Sequence, residues 1–387
     1  MTAALAIGRV AVIGGGIIGA SAAKYLALQG ADITLFAPGE PATMAQHNGP
    51  FASHYDAGRI TRTLSPNPVW AELAQKSIHR YRNIEAESGI DFFHETGLLV
   101  TATDDSTYMR DVRVVVAASD VDAVAVTEAK IAARFPYLAL PDGHVGFVEG
   151  RGAGFIDPRR FIAAQIALVR AHGGRVVDTP VLGLHAGSAD VTCTCDSGQQ
   201  VFDHVIVAGG AFCNAILPDP VPLRVLGRTI GMAVLEPDEV ARLAGMPSLI
   251  YREPDNSDPY LVPPTRYPDG SIRLKIGGEP VERVITGRDA LTEWFQGPGD
   301  PAVGAFLRNR MEGLFPGLTM HDYVTAPCAV TYTETGLPYI DHVDPRIVIA
   351  TGGCGAAGKS GDEIGRIACE TLCGQGDPRF SLPAKSG

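Results

Sequence analysis

Positive charge is scarce in this chain. Its 387 residues carry 32 Lys+Arg against 43 Asp+Glu, a formal net charge of -11. A surface of that sign repels phosphate backbones and offers no polybasic anchor for anionic lipid, so neither nucleic acid nor a membrane is expected as a partner. Long apolar runs are missing too. The most apolar stretch, residues 10–28, is interrupted by four glycines and Lys24, short of the ~20 unbroken residues a membrane helix needs. It also lacks the basic flank and cleavage pattern of a signal peptide. Cysteine is sparse and odd in number: Cys193, Cys195, Cys213, Cys328, Cys354, Cys369 and Cys373 contain no Cys-x-x-Cys pair. That argues against a disulfide framework and points to reduced thiols in a cytoplasmic protein. Cys193-Thr194-Cys195 lies in a strand-like run where both sulfurs share one face. Core packing accounts for it, and no metal site is expected.

What is present is a globular composition. Hydrophobic residues make up 45% of the chain, enough for a large core and unlike a disordered or fibrous protein. At about 150 residues per domain the length predicts two or three domains. The 45 glycines and 28 prolines are scattered and read as turns of a strand-rich α/β protein.

The first forty residues are the most explicit. Arg9-Val-Ala-Val-Ile13 is a short buried strand, Gly14-Gly15-Gly16-Ile17-Ile18-Gly19 follows at once, residues 20–29 are small and apolar at helical spacing, and Gly30 is the expected helix stop. Residues 33–36 form the second strand. In this setting the glycines have separate tasks. Gly14 permits the turn, Gly16 lets the backbone approach a pyrophosphate, and Gly19 lets the helix pack closely on the strand. The helix N-terminus then holds the diphosphate, so a dinucleotide is the predicted ligand. The acidic residue that usually grips the ribose is missing. Ala37 stands near its place and Glu40 is the next carboxylate.

Further on, residues 65–82 read as a helix, 92–102 as a strand pair, 112–135 as helical or mixed, and 158–171 as a helix begun by Pro158. Residues 175–184, 190–195 and 204–209 read as strands. From residue 220 to 324 strands with prolines and charged turns dominate, with one helix-like stretch at 302–314. A strand at 346–350 runs into a glycine-rich turn and a terminal helix over 361–372. The expected architecture is α/β (α+β overall): a Rossmann-like dinucleotide-binding domain with a mainly antiparallel β-sheet substrate domain. The first is assigned residues 1–82, 150–219 and 326–387, the second 83–149 and 220–325.

Gly353-Cys354-Gly355-Ala356-Ala357-Gly358-Lys359-Ser360 matches the phosphate-loop pattern G-x-x-x-x-G-K-[ST]. A strand precedes it and a helix follows. Too little chain remains after Ser360 for the rest of a nucleotide-hydrolysing sheet. The preferred reading is a glycine-rich helix N-terminus facing an electron-rich ring system, with Lys359 free to bind an anion.

Five stretches together resemble one family: the Gly14–Gly19 motif; Ser53-His54-Tyr55-Asp56-Ala57-Gly58-Arg59-Ile60-Thr61-Arg62; Leu274-Lys275-Ile276-Gly277; Tyr332-Thr333-Glu334-Thr335; and the turn from Gly352 to Lys359. Their order and spacing are similar to the monomeric sarcosine oxidase branch of the D-amino-acid oxidase superfamily of flavoproteins. The resemblance implies FAD, with its adenine end on the first strand–helix–strand unit. Gly14, Gly16, Gly19, Arg59, Val181, Gly352, Gly355, Gly358 and Lys359 become cofactor-binding residues. It implies that Arg62 and Lys359 clamp a substrate carboxylate, Arg62 as a bidentate fork and Lys359 as a point charge. It further implies that Lys275 promotes reaction of reduced flavin with O2 and that Tyr332 belongs to the substrate pocket.

The departures from that family carry information of their own. Where it attaches flavin through a cysteine, this chain has Val330, with Cys328 two residues earlier, about 6–7 Å along a strand. Non-covalent FAD is therefore expected. Family histidines are replaced by Glu279 and Ala356, and Tyr55 takes the place of another, so sarcosine itself is not the expected substrate. Glu279 facing the pocket would favour an additional cationic group. The implied activity is oxidation of a small amine or N-substituted amino acid bearing a carboxylate, by hydride transfer to flavin N5 and reoxidation by O2 to give H2O2. The competing readings are an FAD-dependent dehydrogenase of an amino or 2-hydroxy acid using a quinone or electron-transfer protein, a non-catalytic flavin-binding subunit, and a nicotinamide-dependent dehydrogenase.

Overall fold

The computed structural model describes residues 7–119, 121–252, 258–278 and 281–384. Glu279 lies outside the described residues.

The strand Arg9–Ile13 is buried after its first residue because apolar side chains occupy both of its faces. It sits inside a six-stranded sheet, between Asp32–Phe36 and His204–Val207, and pairs with both in parallel. Arg175–Val177 flanks one side. Ile347–Thr351 and an antiparallel edge strand, Tyr339–Asp344, complete the other. Buried parallel strands of this kind need helices on their faces. Ile17–Leu28, Pro68–Ser88, Pro158–Ala171 and Ala357–Leu372 supply them on one face and share its apolar core.

The first and last of these helices approach unusually closely. A Cβ on Gly365 would fall 2.6 Å from the Ala22 nitrogen, and one on Gly361 would fall 2.2 Å from a methyl of Ile17. The terminal helix starts at Ala357, sooner than the expected residue 361, so Gly358 is a helical residue rather than part of the preceding turn. The second helix departs in the other direction. It begins at Pro68, where the Asn67 side chain accepts hydrogen bonds from the Val69 and Trp70 amides, and runs on to Ser88 before Gly89 ends it at φ 70°. Residues 112–135 resolve into the end of a helix (Thr107–Ala118), a strand (Ala123–Val126) and a short helix (Glu128–Arg134).

The second large sheet has nine strands and is mainly antiparallel. Its longest pair, Arg224–Leu235 with Met320–Tyr332, runs from Arg224 opposite Tyr332 to Leu235 opposite Met320. Pro263 and Pro264 are tolerated in Tyr260–Arg266 because the register shifts between Val262 and Thr265. The helix Arg288–Gln296 was not foreseen in the sequence. Its Phe295 is buried through stacking on Phe51, a contact invisible along the chain.

A small sheet of Arg59–Thr61, Gly154–Ile156 and Phe93–His94 lies where the two large sheets meet. On one side a Cβ on Gly358 would stand 3.2 Å from the Arg59 Cβ, and on the other a Cβ on Gly58 would stand 2.6 Å from a Val262 methyl. Arg59 and Arg62 are thereby placed between the terminal helix and the nine-stranded sheet. Cys193 and Cys195 are both buried on one face of Val191–Cys195, and all seven cysteines are free. Among the described residues no cluster could hold a metal ion, and no helix is long and apolar enough to cross a membrane.

Candidate active site

One cavity of about 600 Å³ runs along the C-terminal ends of the parallel strands and under the nine-stranded sheet. Gly14 and Gly16 line one end. Gly14 sits at φ 107°, where a Cβ would fall 2.4 Å from the Ala208 carbonyl oxygen, so glycine is required for the turn. A Cβ on Gly16 would meet only His54 Nδ1, at 3.9 Å, because this position faces the open cavity. Gly19 does not line the cavity. A Cβ there would fall 1.9 Å from the Gly14 oxygen, so its smallness seats the helix on the turn.

Two helix N-termini meet at this cavity, those of Ile17–Leu28 and Ala357–Leu372. Neither has a side-chain cap, as Gly16 and Ala356 occupy the cap positions. Their first-turn N–H groups are therefore donors without intrahelical partners, reinforced by the helix dipoles. Gly352, Gly355 and Gly358 line the cavity beside the second terminus, and Val181 lines it as well. Gly352 and Gly355 both sit at φ 76°. Cys354 between them, at φ 46°, is the one non-glycine residue with left-handed backbone among the described residues. Such conformations are held by their surroundings and concentrate at ligand-binding turns. Open donors, glycine-lined backbone and cavity together fit an extended dinucleotide carrying a diphosphate. Glu40 does not line the cavity. It forms a bidentate pair with Arg159, both bonds at 2.7 Å.

The far end of the cavity is cationic. Lys359 is only 5% exposed, lines the cavity and has no hydrogen-bond or ion-pair partner for its ammonium among the described residues. Burial first, and then the neighbouring Arg62, push its pKa well below the ordinary lysine value, with Glu149 opposing them. Arg62 lines the same wall and donates from Nη1 to the Leu64 carbonyl at 2.7 Å. Glu149 is fully buried behind them. It accepts from the Thr63 amide at 2.7 Å, from the Leu64 amide at 3.1 Å and from the Thr63 hydroxyl. Burial raises its carboxyl despite these bonds. Tyr332 lines the cavity near Gly355, whose Cβ position is 3.9 Å from the phenol oxygen.

Lys275 is placed differently. It is 0% exposed and does not line the cavity. Its ammonium donates to Asp56 Oδ2 at 2.5 Å and to the Gly58 carbonyl at 2.7 Å. Burial and Arg59 lower its pKa to about 8, although Asp56 opposes the shift. Arg59 does line the cavity. It pairs with Asp56 Oδ2 at 3.0 Å, donates to the Ser53 carbonyl and lies 3.5 Å from Cys328 Sγ. His54, beside Gly16, is pushed down to about 3 by burial and by the charges of Arg159 and Arg59, and is neutral at physiological pH.

The fold thus gathers Gly14, Gly16, Arg59, Arg62, Val181, Tyr332, Gly352, Gly355, Gly358 and Lys359 around one cavity, while Gly19 and Lys275 stand behind it. Sequence reasoning gave no role to Asp56 or Glu149. Asp56 sits three residues from Arg59 but gains its importance from Lys275, 219 residues away. Glu149 is 86 residues from Thr63, and nothing local marks either carboxylate as buried.

Comparison with known proteins extends this picture. The family model described as FAD dependent oxidoreductase matches residues 9–371. The N-methyl-L-tryptophan oxidase of Yersinia pestis (strain Pestoides F) is 22% identical over 209 residues, which is 54% of each chain, so the chain spans about half the length of the curated relatives it matches. Among solved structures, NikD, titled an unusual amino acid oxidase essential for nikkomycin biosynthesis, aligns with a TM-score of 0.78 at 18% identity, over 98% of both chains. Amadoriase I of Aspergillus fumigatus aligns with a TM-score of 0.74 at 18% identity, over 98% of this chain and 90% of its own. The L-proline dehydrogenase of P. horikoshii gives 0.74 at 17% identity, over 98% and 96%. At these identities the structural likeness shows the fold.

Proposed function

The chain belongs to the FAD dependent oxidoreductase family, and from that premise we propose that it oxidises a small amine or N-substituted amino acid bearing a carboxylate. The observation that carries this reading is Lys359, a buried ammonium without a partner among the described residues, beside Arg62 on the cavity that also holds the dinucleotide cradle. A buried unpaired charge is costly unless a ligand completes it. A bound carboxylate would favour the protonated form of Lys359, which burial and Arg62 otherwise disfavour, and Glu149 offsets at most one of the two charges. Arg62 offers a planar fork and Lys359 a point charge, and together they fix the orientation of the acid. Orientation of this kind contributes several kcal/mol, roughly, to lowering a barrier. Tyr332 and the glycine turn limit the room around the rest of the substrate.

The chemistry FAD supplies here is two-electron oxidation, a hydride passing from the carbon next to nitrogen to flavin N5, and the imine product hydrolyses in water. The names of the relatives, an oxidase of N-methyl-L-tryptophan and a dehydrogenase of L-proline, support an N-substituted amino acid. Non-covalent attachment is part of the proposal: Val330 stands at the attachment position and Cys328 lies against Arg59. Reoxidation by O2 with release of H2O2 is the preferred second half. The dehydrogenase reading has one observation in its favour, since Lys275 is tied to Asp56 and Gly58 and does not line the cavity.

Anaerobic addition of amino and N-alkyl amino acids to the yellow protein tests the reading. Bleaching by a carboxylate-bearing amine is the expected result. Bleaching by none, or only by amines lacking a carboxylate, refutes it. Admitting O2 or a quinone to the bleached protein then separates oxidase from dehydrogenase.

A further inference from the structure

We propose that Asp56 is a positioning residue that sets the charge of the Arg59 wall of the cofactor cavity, and so the ease with which bound flavin is reduced. The proposal rests on the flavin reading above and deepens it.

Asp56 is 3% exposed and fully satisfied. Its Oδ2 accepts from Lys275 Nζ at 2.5 Å and pairs with Arg59 Nη1 at 3.0 Å, while Oδ1 accepts from the Tyr267 hydroxyl at 2.9 Å and the Ala57 amide at 2.8 Å. A carboxylate has about four acceptor sites, and here all are used. Its partners come from separate parts of the fold: Arg59 from the small sheet, Lys275 from a central strand where it lies opposite Met232 and Val262, and Tyr267 from the turn that follows Tyr260–Arg266. No local folding requirement brings two cations and a phenol to one buried acid. Other charged or titratable groups surround the cluster: Arg273 lies over the Tyr267 ring at 4.5 Å, Cys328 lies 3.5 Å from Arg59, and Lys275 stands 5.6 Å from the centre of the Tyr260 ring.

The layering matters. Arg59 faces the cavity, whereas Lys275 and Asp56 stand behind it as an opposed pair. Burial by itself would keep the Asp56 carboxyl protonated, but Lys275 and Arg59 hold it well below the usual carboxylate range. The wall therefore presents one net positive charge rather than two. Fixed positive charge in a site of low dielectric favours whichever state of a ligand carries more negative charge, here reduced flavin. Asp56 moderates that preference and also tethers the guanidinium.

The test is a dye-coupled reductive titration of the flavin-loaded protein, which reads its midpoint potential rather than turnover. Asp56→Asn keeps the shape and removes the charge. It is expected to shift the two-electron reduction equilibrium about tenfold toward the reduced form, or about 30 mV upward. Lys275→Met is expected to shift it in the opposite direction. The double variant, which loses the pair together, returns close to the parent value. Should Asp56→Asn alone fail to fold, Lys275→Met is compared with the double variant, in which no charge of this pair is left alone. Removing Asp56 in that background must raise the potential, and equal potentials overturn the proposal. A yellow Asp56→Asn protein with the parent potential also overturns it. A chain that takes up no FAD overturns both this proposal and the functional reading beneath it.

Discussion

Replacing Lys359 with methionine separates the stability of the fold from its binding of a carboxylate. The ammonium is buried and unpartnered among the described residues, so in the ligand-free protein it contributes desolvation cost without a compensating contact. Methionine has similar reach and no charge. The ligand-free protein should therefore keep its stability or gain a little. Binding of a simple carboxylate should weaken sharply. A hydrogen bond to a charged group contributes about 1.5–3 kcal/mol, which corresponds to roughly a 10- to 100-fold rise in Kd. There is also a pH signature. An unfolded lysine keeps its proton up to about pH 10.4, whereas folded Lys359 releases it earlier because of burial and Arg62. Between the depressed folded value and the unfolded value the unfolded chain binds more protons, so stability rises with pH across that window. Lys359→Met removes this rise. The assays are thermal melts at several pH values, with and without acetate, and calorimetric titration of acetate. At a hundredfold excess over Kd the parent should gain about 2.7 kcal/mol. Undiminished acetate affinity in the variant, or a ligand-free loss above about 2 kcal/mol, would show that Lys359 is a structural lysine and not a carboxylate anchor.

Asp362 is fully buried and accepts from Lys24 at 2.6 Å, Tyr25 and Arg80 at 2.7 Å and Gln165 at 3.1 Å. Asp362→Ala should therefore cost about 3–5 kcal/mol in urea unfolding, and a cost below about 1 kcal/mol would show the network to be slack. Gly365→Ala drives a Cβ to 2.6 Å from the Ala22 nitrogen. The two helices must separate at a cost of about 1–3 kcal/mol, with weaker FAD retention on gel filtration, and a variant that keeps flavin and stability would mean that the close approach is dispensable. Acid precipitation of the yellow protein should leave all flavin in the supernatant, whereas colour in the pellet would contradict non-covalent attachment. Arg62→Ala should raise the substrate KM strongly while the yellow colour persists, and unchanged kinetics would remove Arg62 from the carboxylate clamp.

Local chemistry settled a good part of this protein before any folding was considered. The buried strand Arg9–Ile13, the turn at Gly14 and the helix after it are encoded within some twenty neighbouring residues, because hydrophobic periodicity and the left-handed preference of glycine act over short range. The same holds for Pro158 at a helix start and for the glycine-rich turn before the terminal helix. Motif order also carried Arg62, Tyr332 and Lys359, all three of which line the cavity. What lay beyond reach depended on contacts distant in sequence. Gly358 reads as a turn residue until Arg59 of the small sheet is laid against it. Helix Arg288–Gln296 needs Phe51 to bury its aromatic side, and Lys275 could be placed on a strand but not assigned its partner. The electrostatic character of a lysine is decided by what surrounds its nitrogen. Lys275 is neutralised by Asp56 from the loop before Arg59–Thr61, while Lys359 is left unpaired among the described residues at the end of a cavity. Composition and spacing determine which charges a chain possesses; only packing determines which are desolvated and which remain without a counter-charge, since both depend on residues that meet solely in the folded state.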